Sequence, residues 1–136
     1  MIPIGKKLFE EVDMPKKSEI INENREKGMV ESESSWTGQI KGIDLFPNGR
    51  VEGNGNSILY SNGISISNWQ GTFTTEEGKE ISFIGKDTNK LGKYFVLRTF
   101  FTNTHAHAWI NGLVCILDGS FDQENKTFRC NGYELM

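Results

Sequence analysis

Short runs of β-forming residues, separated by glycine-containing turns, make up the chain from about residue 29 onward. Such spacing, with Asn-Gly pairs at several of the turns, predicts antiparallel strands joined by hairpins. We expect strands in seven runs: Val30–Ile43, Arg50–Tyr60, Ile64–Thr75, Glu80–Asp87, Tyr94–Thr102, Leu113–Asp122 and Thr127–Leu135. The pattern therefore predicts an all-β domain over residues 29–136.

Two of the predicted hairpins allow the strand register to be worked out, because side chains alternate between the two faces of a strand. The loop Glu76-Glu77-Gly78 predicts three facing pairs: Phe73 with Ile81, Phe83 with Gly71, and Trp69 with Gly85. The last hairpin predicts four: Asp122 with Thr127, Phe121 with Phe128, Cys130 with Gly119, and Leu117 with Gly132. Large side chains opposite glycines fit a tightly curved sheet. We therefore expect a small antiparallel barrel of about eight strands.

The first 28 residues are charged and differ from the rest of the chain. Leu8 and Val12 are four residues apart, which predicts a short amphipathic helix that ends before Pro15. Ser18 is a suitable cap for a second short helix that ends at Gly28. Residues 1–28 are thus expected to form a charged, partly helical N-terminal arm, either solvated or docked on the sheet or on another subunit.

Composition and charge exclude several classes of function. The chain has 136 residues and a formal net charge of −3, without the basic patch that nucleic acid or anionic lipid requires. No segment has the length or character of a signal peptide or a membrane span, so we expect a cytoplasmic protein with no membrane partner. The predicted register separates Cys115 from Cys130 by roughly 13 Å, which predicts free thiols.

Four segments carry a resemblance to a known group of proteins. They are Arg50-Val51-Glu52-Gly53-Asn54-Gly55, Trp69-Gln70-Gly71-Thr72-Phe73, Leu117-Asp118-Gly119-Ser120-Phe121 and Gly132-Tyr133-Glu134-Leu135. Over about residues 36–135 the chain resembles the allene oxide cyclase-like small barrels, especially the uncharacterised bacterial proteins that share the barrel. The resemblance implies an eight-stranded barrel. It implies no activity, because we do not place the catalytic residues of the plant cyclase on this sequence.

His105 and His107 are the strongest candidates for a chemical role, and the sequence allows two local structures around them. If Asn111-Gly112 is a hairpin turn, His105 faces Asp118, and the carboxylate can orient the imidazole for acid–base chemistry. If residues 104–112 form a short helical turn that ends at Gly112, the two histidines diverge. The chain has no further histidine, so we expect neither a metal site nor a cofactor.

The function that we expect from the sequence is the binding of a small, mostly apolar ligand in the barrel. Five residues are the candidate ligand-binding residues: Trp69, Phe73, Phe83, Arg98 and Phe101. Arg98 is expected either to point outward, which its type favours, or to pair inside the lumen with Glu52 or Glu134 while meeting an anionic head group.

Two alternatives belong to other classes of function. One is an isomerase or cyclase-type enzyme with His105, His107 and Asp118 as acid–base groups. The other is a structural subunit that forms homo-oligomers and binds no ligand.

Overall fold

The computed structural model describes residues 3–90 and 93–136, which form one closed antiparallel barrel. Consecutive strands are neighbours throughout, and β1 pairs with β8 to close the barrel. The strands are β1 (Ile4–Asn24), β2 (Met29–Gly42), β3 (Gly49–Tyr60), β4 (Ile64–Thr75), β5 (Glu80–Lys90), β6 (Lys93–Phe101), β7 (Val114–Asp122) and β8 (Thr127–Leu135). A 3₁₀ helix, His105–Ile110, connects β6 to β7.

The predicted helical N-terminal arm is wrong, because these residues form β1, the longest strand of the barrel. β1 pairs with β2 from Phe9 to Asn24 and with β8 as far as Asp13. Leu8 and Phe9 are both buried beside a register shift, whereas Val12, the other residue of the expected apolar helix face, is only partly buried. Pairing with β2 over most of the strand, and with β8 as far as Asp13, stabilises the extended backbone, so tertiary contacts outweigh the weak local preference for a helix.

Both predicted hairpin registers are confirmed, including all the predicted facing pairs of β4 with β5 and of β7 with β8. A Cβ atom at Gly71 would lie 2.7 Å from Cζ of Phe83, and one at Gly132 would overlap the Phe9 ring. Glycine is needed at these two positions because the space of a side chain is occupied, by the Phe9 ring at Gly132 and by the Glu52 carbonyl oxygen and the Phe83 ring at Gly71. This packing lets bulky rings fill a narrow barrel.

One end of the barrel is closed by a dry aromatic core. Phe46, from the loop between β2 and β3, enters this end and stacks on Phe73, with ring centroids 5.9 Å apart. It also contacts Phe9 at 4.9 Å and Phe100 at 5.9 Å. Ile110 of the 3₁₀ helix is fully buried in the same cluster. We call this region the closed end.

The segment before β7 forms the helical turn and not the hairpin. The backbone N–H of Asn111 donates to the carbonyl of Ala108, and Gly112 has a φ of 81°, as is usual after the end of a helix. Thr104 occupies the N-cap position but makes no side-chain capping hydrogen bond.

The two cysteines are both buried and free, as predicted. Cys130 faces Gly119, whereas Cys115 faces Glu134 farther along the hairpin.

Candidate ligand-binding site

The other end of the barrel contains a cavity of about 380 Å³, and we call this region the open end. At this end β6 and β7 are no longer paired, since their pairing in the described residues covers Val96–Thr99 and Val114–Leu117. Aromatic and aliphatic side chains make most of its wall: Trp36, Trp69, Tyr94, Val96, Leu117, Phe121 and Phe128. Its size lies at the lower end of the range for small-molecule sites.

A larger groove of about 860 Å³ runs over the middle of the barrel, but it has a different character. Many of its lining residues are exposed polar side chains, including Asn54, Asn56, Asn68 and Gln70. The open-end cavity instead combines apolar walls with buried charged groups, which is the usual composition of a specific ligand site.

Arg98, one member of a buried ion pair, forms the floor of the cavity. Arg98 of β6 donates from Nη1 to Oε1 of Glu11 at 2.5 Å and from Nη2 to Oε2 at 3.0 Å. Arg98 is 5% exposed and Glu11 is 1% exposed. Burial alone would lower the pKa of Arg98, but the charge and hydrogen bonds of Glu11 outweigh burial and raise it. The guanidinium also lies 4.6 Å from the centre of the Phe83 ring, a cation–π contact.

Asp13 lies beside this pair as a second buried carboxyl group. Burial, followed by the charge of Glu11 and a hydrogen bond to it, raises the pKa of Asp13 to about 10. With this pKa Asp13 is protonated at pH 7, and Glu11 is the carboxyl group that forms the ion pair with Arg98. Asp13 faces Gly38 of β2, where a Cβ atom would overlap Asp13 Oδ1. No residue in the described part of the chain is hydrogen-bonded to Oδ1.

Trp69 and Asp87 form a second polar contact on the wall. The indole Nε1 of Trp69 donates to Asp87 Oδ2 at 2.6 Å, which holds the ring against the wall. Burial raises the pKa of Asp87, partly offset by the hydrogen bonds from Trp69 and Ser67. Trp36 meets Trp69 edge to face, with centroids 6.5 Å apart, so the two indoles present flat apolar surfaces near the floor.

The structure places only two of the five candidate ligand-binding residues, Trp69 and Arg98, on the cavity. Phe73 packs into the closed end, and Phe83 lies beneath Arg98 and over Gly71. The expectation for Phe101 is corrected, because it points outward and is 43% exposed while its neighbour Phe100 points inward.

Two of the expectations for Arg98 are also corrected. It points inward although its residue type favoured the surface, and its partner is Glu11, in place of Glu52 or Glu134. Because Glu11 occupies both branches of the guanidinium, Arg98 is not available as a free cation for an anionic head group.

The proposed acid–base residues do not come together. His105 is exposed on the 3₁₀ helix, and Asp118 faces Asn131 of β8 and is exposed. The pairing of His105 with Asp118 required the hairpin turn, which does not form. His107 is half-buried, and its Nε2 has no hydrogen-bond partner within residues 3–90 and 93–136. Among the same residues, no three of His, Cys, Asp and Glu are grouped as metal ligands.

Sequence reasoning missed Glu11, Asp13, Trp36 and Asp87. The first two lie in the segment that was expected to be helical. The available signal was the alternation of Phe9, Glu11 and Asp13, whose period of two places all three side chains on one face of a strand. Because charged residues rarely point into a barrel, this alternation does not by itself indicate an inward strand face.

The fold is a small antiparallel barrel of eight strands whose sheet closes on itself. Its interior is packed at one end and contains a cavity at the other. No protein family model matches the chain, and no curated protein matches it by sequence. None of the helices in the described residues is long and apolar enough to cross a membrane.

Solved structures with the same barrel are similar over nearly the whole chain. A β-barrel-like protein from Acinetobacter baumannii AYE matches with a TM-score of 0.80 at 18% identity, over 100% of this chain and 97% of that chain. A protein with unknown function from Clostridium acetobutylicum ATCC 824 matches with a TM-score of 0.78 at 14% identity, over 96% and 98%. An enzyme from Penicillium herquei matches with a TM-score of 0.73 at 17% identity, over 97% and 96%. At these identities the likeness shows the barrel fold, and membership of the allene oxide cyclase-like group stays a prediction.

Proposed function

We propose that this protein binds a small, mostly apolar molecule in the open-end cavity. The observation that carries the proposal is the cavity of about 380 Å³, with aromatic walls and with the polar groups of Asp13, Asp87 and Arg98 converging on it. Ligand sites typically have this form, in which apolar surface supplies affinity and a few polar groups supply orientation.

Gly85 allows a direct test, because it lies in the cavity lining opposite Trp69 and Arg98. Its Cβ atom would lie 3.3 Å from the Leu97 carbonyl oxygen and 3.9 Å from Trp69 Cβ, so a side chain is accommodated after a small shift. A Gly85→Leu variant therefore occupies part of the cavity and leaves the ring contacts at Gly71 and Gly132 unchanged.

The measurement is fluorescence titration with Prodan, a neutral apolar naphthalene dye. We expect the wild-type protein to bind the dye and Gly85→Leu to bind it at least about tenfold more weakly, a difference of about 1.4 kcal/mol. Lys86→Leu is the matched control, because it adds the same side chain at the next position of β5, which is exposed. Absence of dye binding by the wild type, or equal binding by Gly85→Leu, would contradict the proposal.

An isomerase or cyclase-type enzyme is a second candidate, with the carboxyl group of Asp13 in the cavity as its acid–base group in place of His105, His107 and Asp118. Asp13 is a neutral carboxylic acid there, which is the protonation state that a general acid needs. The similar protein from P. herquei is an enzyme, so this barrel can support catalysis. If a molecule that co-purifies with the protein is converted by the wild type and not by Asp13→Ala, the protein is an enzyme; an unchanged molecule supports binding alone.

Homo-oligomeric assembly and a cytoplasmic location stay predictions. Assembly is supported by outward-facing apolar side chains on β5 and β6, namely Ile84, Phe95 and Phe101. Light scattering tests it, and a monomer at high protein concentration would contradict it.

A further inference from the structure

We propose that the molecule bound in the open-end cavity carries a positive charge, as a quaternary or protonated amine on an otherwise apolar body, and that the carboxylate of Asp87 pairs with it. This inference rests on the binding function proposed above and specifies the chemical class of the ligand. Three features of the cavity support it: an accessible carboxyl group without a cationic partner, the aromatic rings beside that group, and the positions of the cations in the lining.

Asp87 of β5 is a carboxyl group that a ligand in the cavity can reach. The strand register places it inside the barrel, because it faces Ser67 of β4 and Val96 of β6, which are both buried. Asp87 belongs to the cavity lining and, unlike Asp13, is only half-buried. Since its side chain points inward, the surface that it exposes is part of the cavity.

No cation within residues 3–90 and 93–136 neutralises Asp87. The ion pairs among these residues have other members: Lys7 with Glu10, Lys17 with Glu19, and Arg98 with Glu11. Burial raises the pKa of Asp87, and the hydrogen bonds that oppose this effect come from the neutral groups of Trp69 and Ser67. A cation on the cavity side of the carboxylate would offset the cost of burying it.

Aromatic rings line the cavity beside Asp87. Trp36 and Trp69 meet at an interplanar angle of 80°, and Tyr94 packs edge to face against Phe128. Burial, followed by the charge of Asp87, raises the pKa of Tyr94, so the two side chains are close and the phenol is neutral at pH 7. The faces of such rings attract cations, and quaternary ammonium groups are typically bound between several of them.

The cations of the lining leave the position beside Asp87 free. Among the described lining residues they are Arg98 and Lys17. Arg98 is two residues nearer the closed end than Val96, the residue that faces Asp87, a distance of about 7 Å along β6. Lys17 is exposed, with Nζ 4.0 Å from Glu19. Arg98 keeps N–H groups that the Glu11 carboxylate does not use, so an anion is the competing ligand that a test must include.

Three benzene derivatives with a tetrahedral substituent test the inference. Phenyltrimethylammonium is a permanent cation, tert-butylbenzene is its neutral isostere, and benzenesulfonate is an anion. Each is titrated into the complex of the wild-type protein with Prodan, and the change in dye fluorescence measures its binding. We expect the cation to bind at least as tightly as tert-butylbenzene, although water hydrates it far better, and about tenfold more tightly than benzenesulfonate.

The variant Asp87→Asn assigns the effect to Asp87, because it removes the charge and keeps an oxygen for the Trp69 indole. We expect it to weaken phenyltrimethylammonium binding about tenfold and to change the affinity for tert-butylbenzene and for Prodan by less than about twofold. Asp44→Asn is the matched control. It removes the same charge from an exposed loop position at the closed end, where the φ of 54° also suits asparagine, and it should change none of the affinities.

The outcomes separate this inference from the binding function on which it rests. Failure of Prodan to bind the wild type would overturn both. If Prodan binds but phenyltrimethylammonium binds more weakly than tert-butylbenzene or benzenesulfonate, the inference is overturned and the binding function stands. The same holds if Asp87→Asn weakens the cation no more than it weakens tert-butylbenzene. The comparison of the three compounds uses the wild-type protein, so it decides the matter even if Asp87→Asn does not fold.

Discussion

The two ends of the barrel are built from the same alternating strands but have opposite interiors. At the closed end, Phe46 and Ile110 enter from the connecting segments and complete an apolar core. At the open end the two indoles, Trp36 and Trp69, surround a cavity whose floor carries charge. The closed end is thus filled by side chains from the connections as well as from the strands, whereas the residues that line the open-end cavity all belong to strands.

The boundary between the two ends is the pair formed by Arg98 and Glu11. On its closed side the guanidinium lies against Phe83 and, at 5.9 Å, Phe100; on its open side it belongs to the cavity floor. A buried ion pair contributes little net stability when its desolvation is counted, but it is costly to break. It lies between the apolar core of the closed end and the open-end cavity.

The largest expected effect breaks this boundary. Arg98→Met leaves the Glu11 carboxylate buried without its partner and should lower the free energy of unfolding by about 4 kcal/mol. Urea denaturation measures the loss. The double variant Arg98→Met with Glu11→Leu removes both charges and should recover most of it. If Arg98→Met alone is as stable as the wild type, the pair does not carry a buried charge.

A somewhat smaller effect is expected from opening the closed end. Phe46→Ala removes a ring that contacts Phe9, Phe73 and Phe100, and it should cost about 3 kcal/mol. Leu45→Ala is the matched control in the same loop, because Leu45 is 82% exposed and its loss should change stability by less than about 0.5 kcal/mol. Equal effects of the two substitutions would mean that Phe46 does not complete the core.

The last prediction concerns Asp13 at the open end, whose effect on the free energy of unfolding is smallest when it is counted for a single pH unit. The folded protein holds a proton on Asp13 up to about pH 10, whereas the unfolded chain releases it near pH 4. The raised pKa thus stabilises the fold fully below about pH 4, and this contribution is lost as the pH rises towards 10. Between pH 5 and 8 we expect the wild type to lose about 1 kcal/mol of stability per pH unit relative to Asp13→Asn.

Chemical denaturation of the two proteins at several pH values measures this slope. Carbon-13 NMR of the Asp13 carboxyl group provides an independent check and should show the protonated form at pH 7. Parallel pH profiles for the wild type and Asp13→Asn would rule out a buried proton at this position.

Much of the barrel could be predicted from local sequence. The hairpin at Gly78 and the hairpin between Asp122 and Thr127 set their registers through loop length, and those registers are correct in the structure. The glycines opposite large side chains correctly indicated strong curvature. These features depend on residues close together in the chain, so a sequence pattern contains the necessary information.

The candidate site was harder to predict, as Trp69 and Phe101 illustrate. Trp69 was correctly expected on the inner face, because its hairpin register could be counted. The register of β6 was not counted, and Phe101 was expected inside although the alternation places Phe100 there. A shift of one residue exchanges the two faces of a strand, so a lining prediction is only as good as its register.

By itself, the sequence determined the all-β class, the hairpin registers and the free cysteines, because each follows from short-range alternation and turn geometry. Only the tertiary structure decided that residues 4–24 form a strand and that Glu11 meets Arg98, 87 positions away along the chain. Barrel closure brings β1 against β8 and places its carboxyl groups across the lumen from β6. Contacts of that kind depend on how the whole sheet curves, and local propensity contains no record of them.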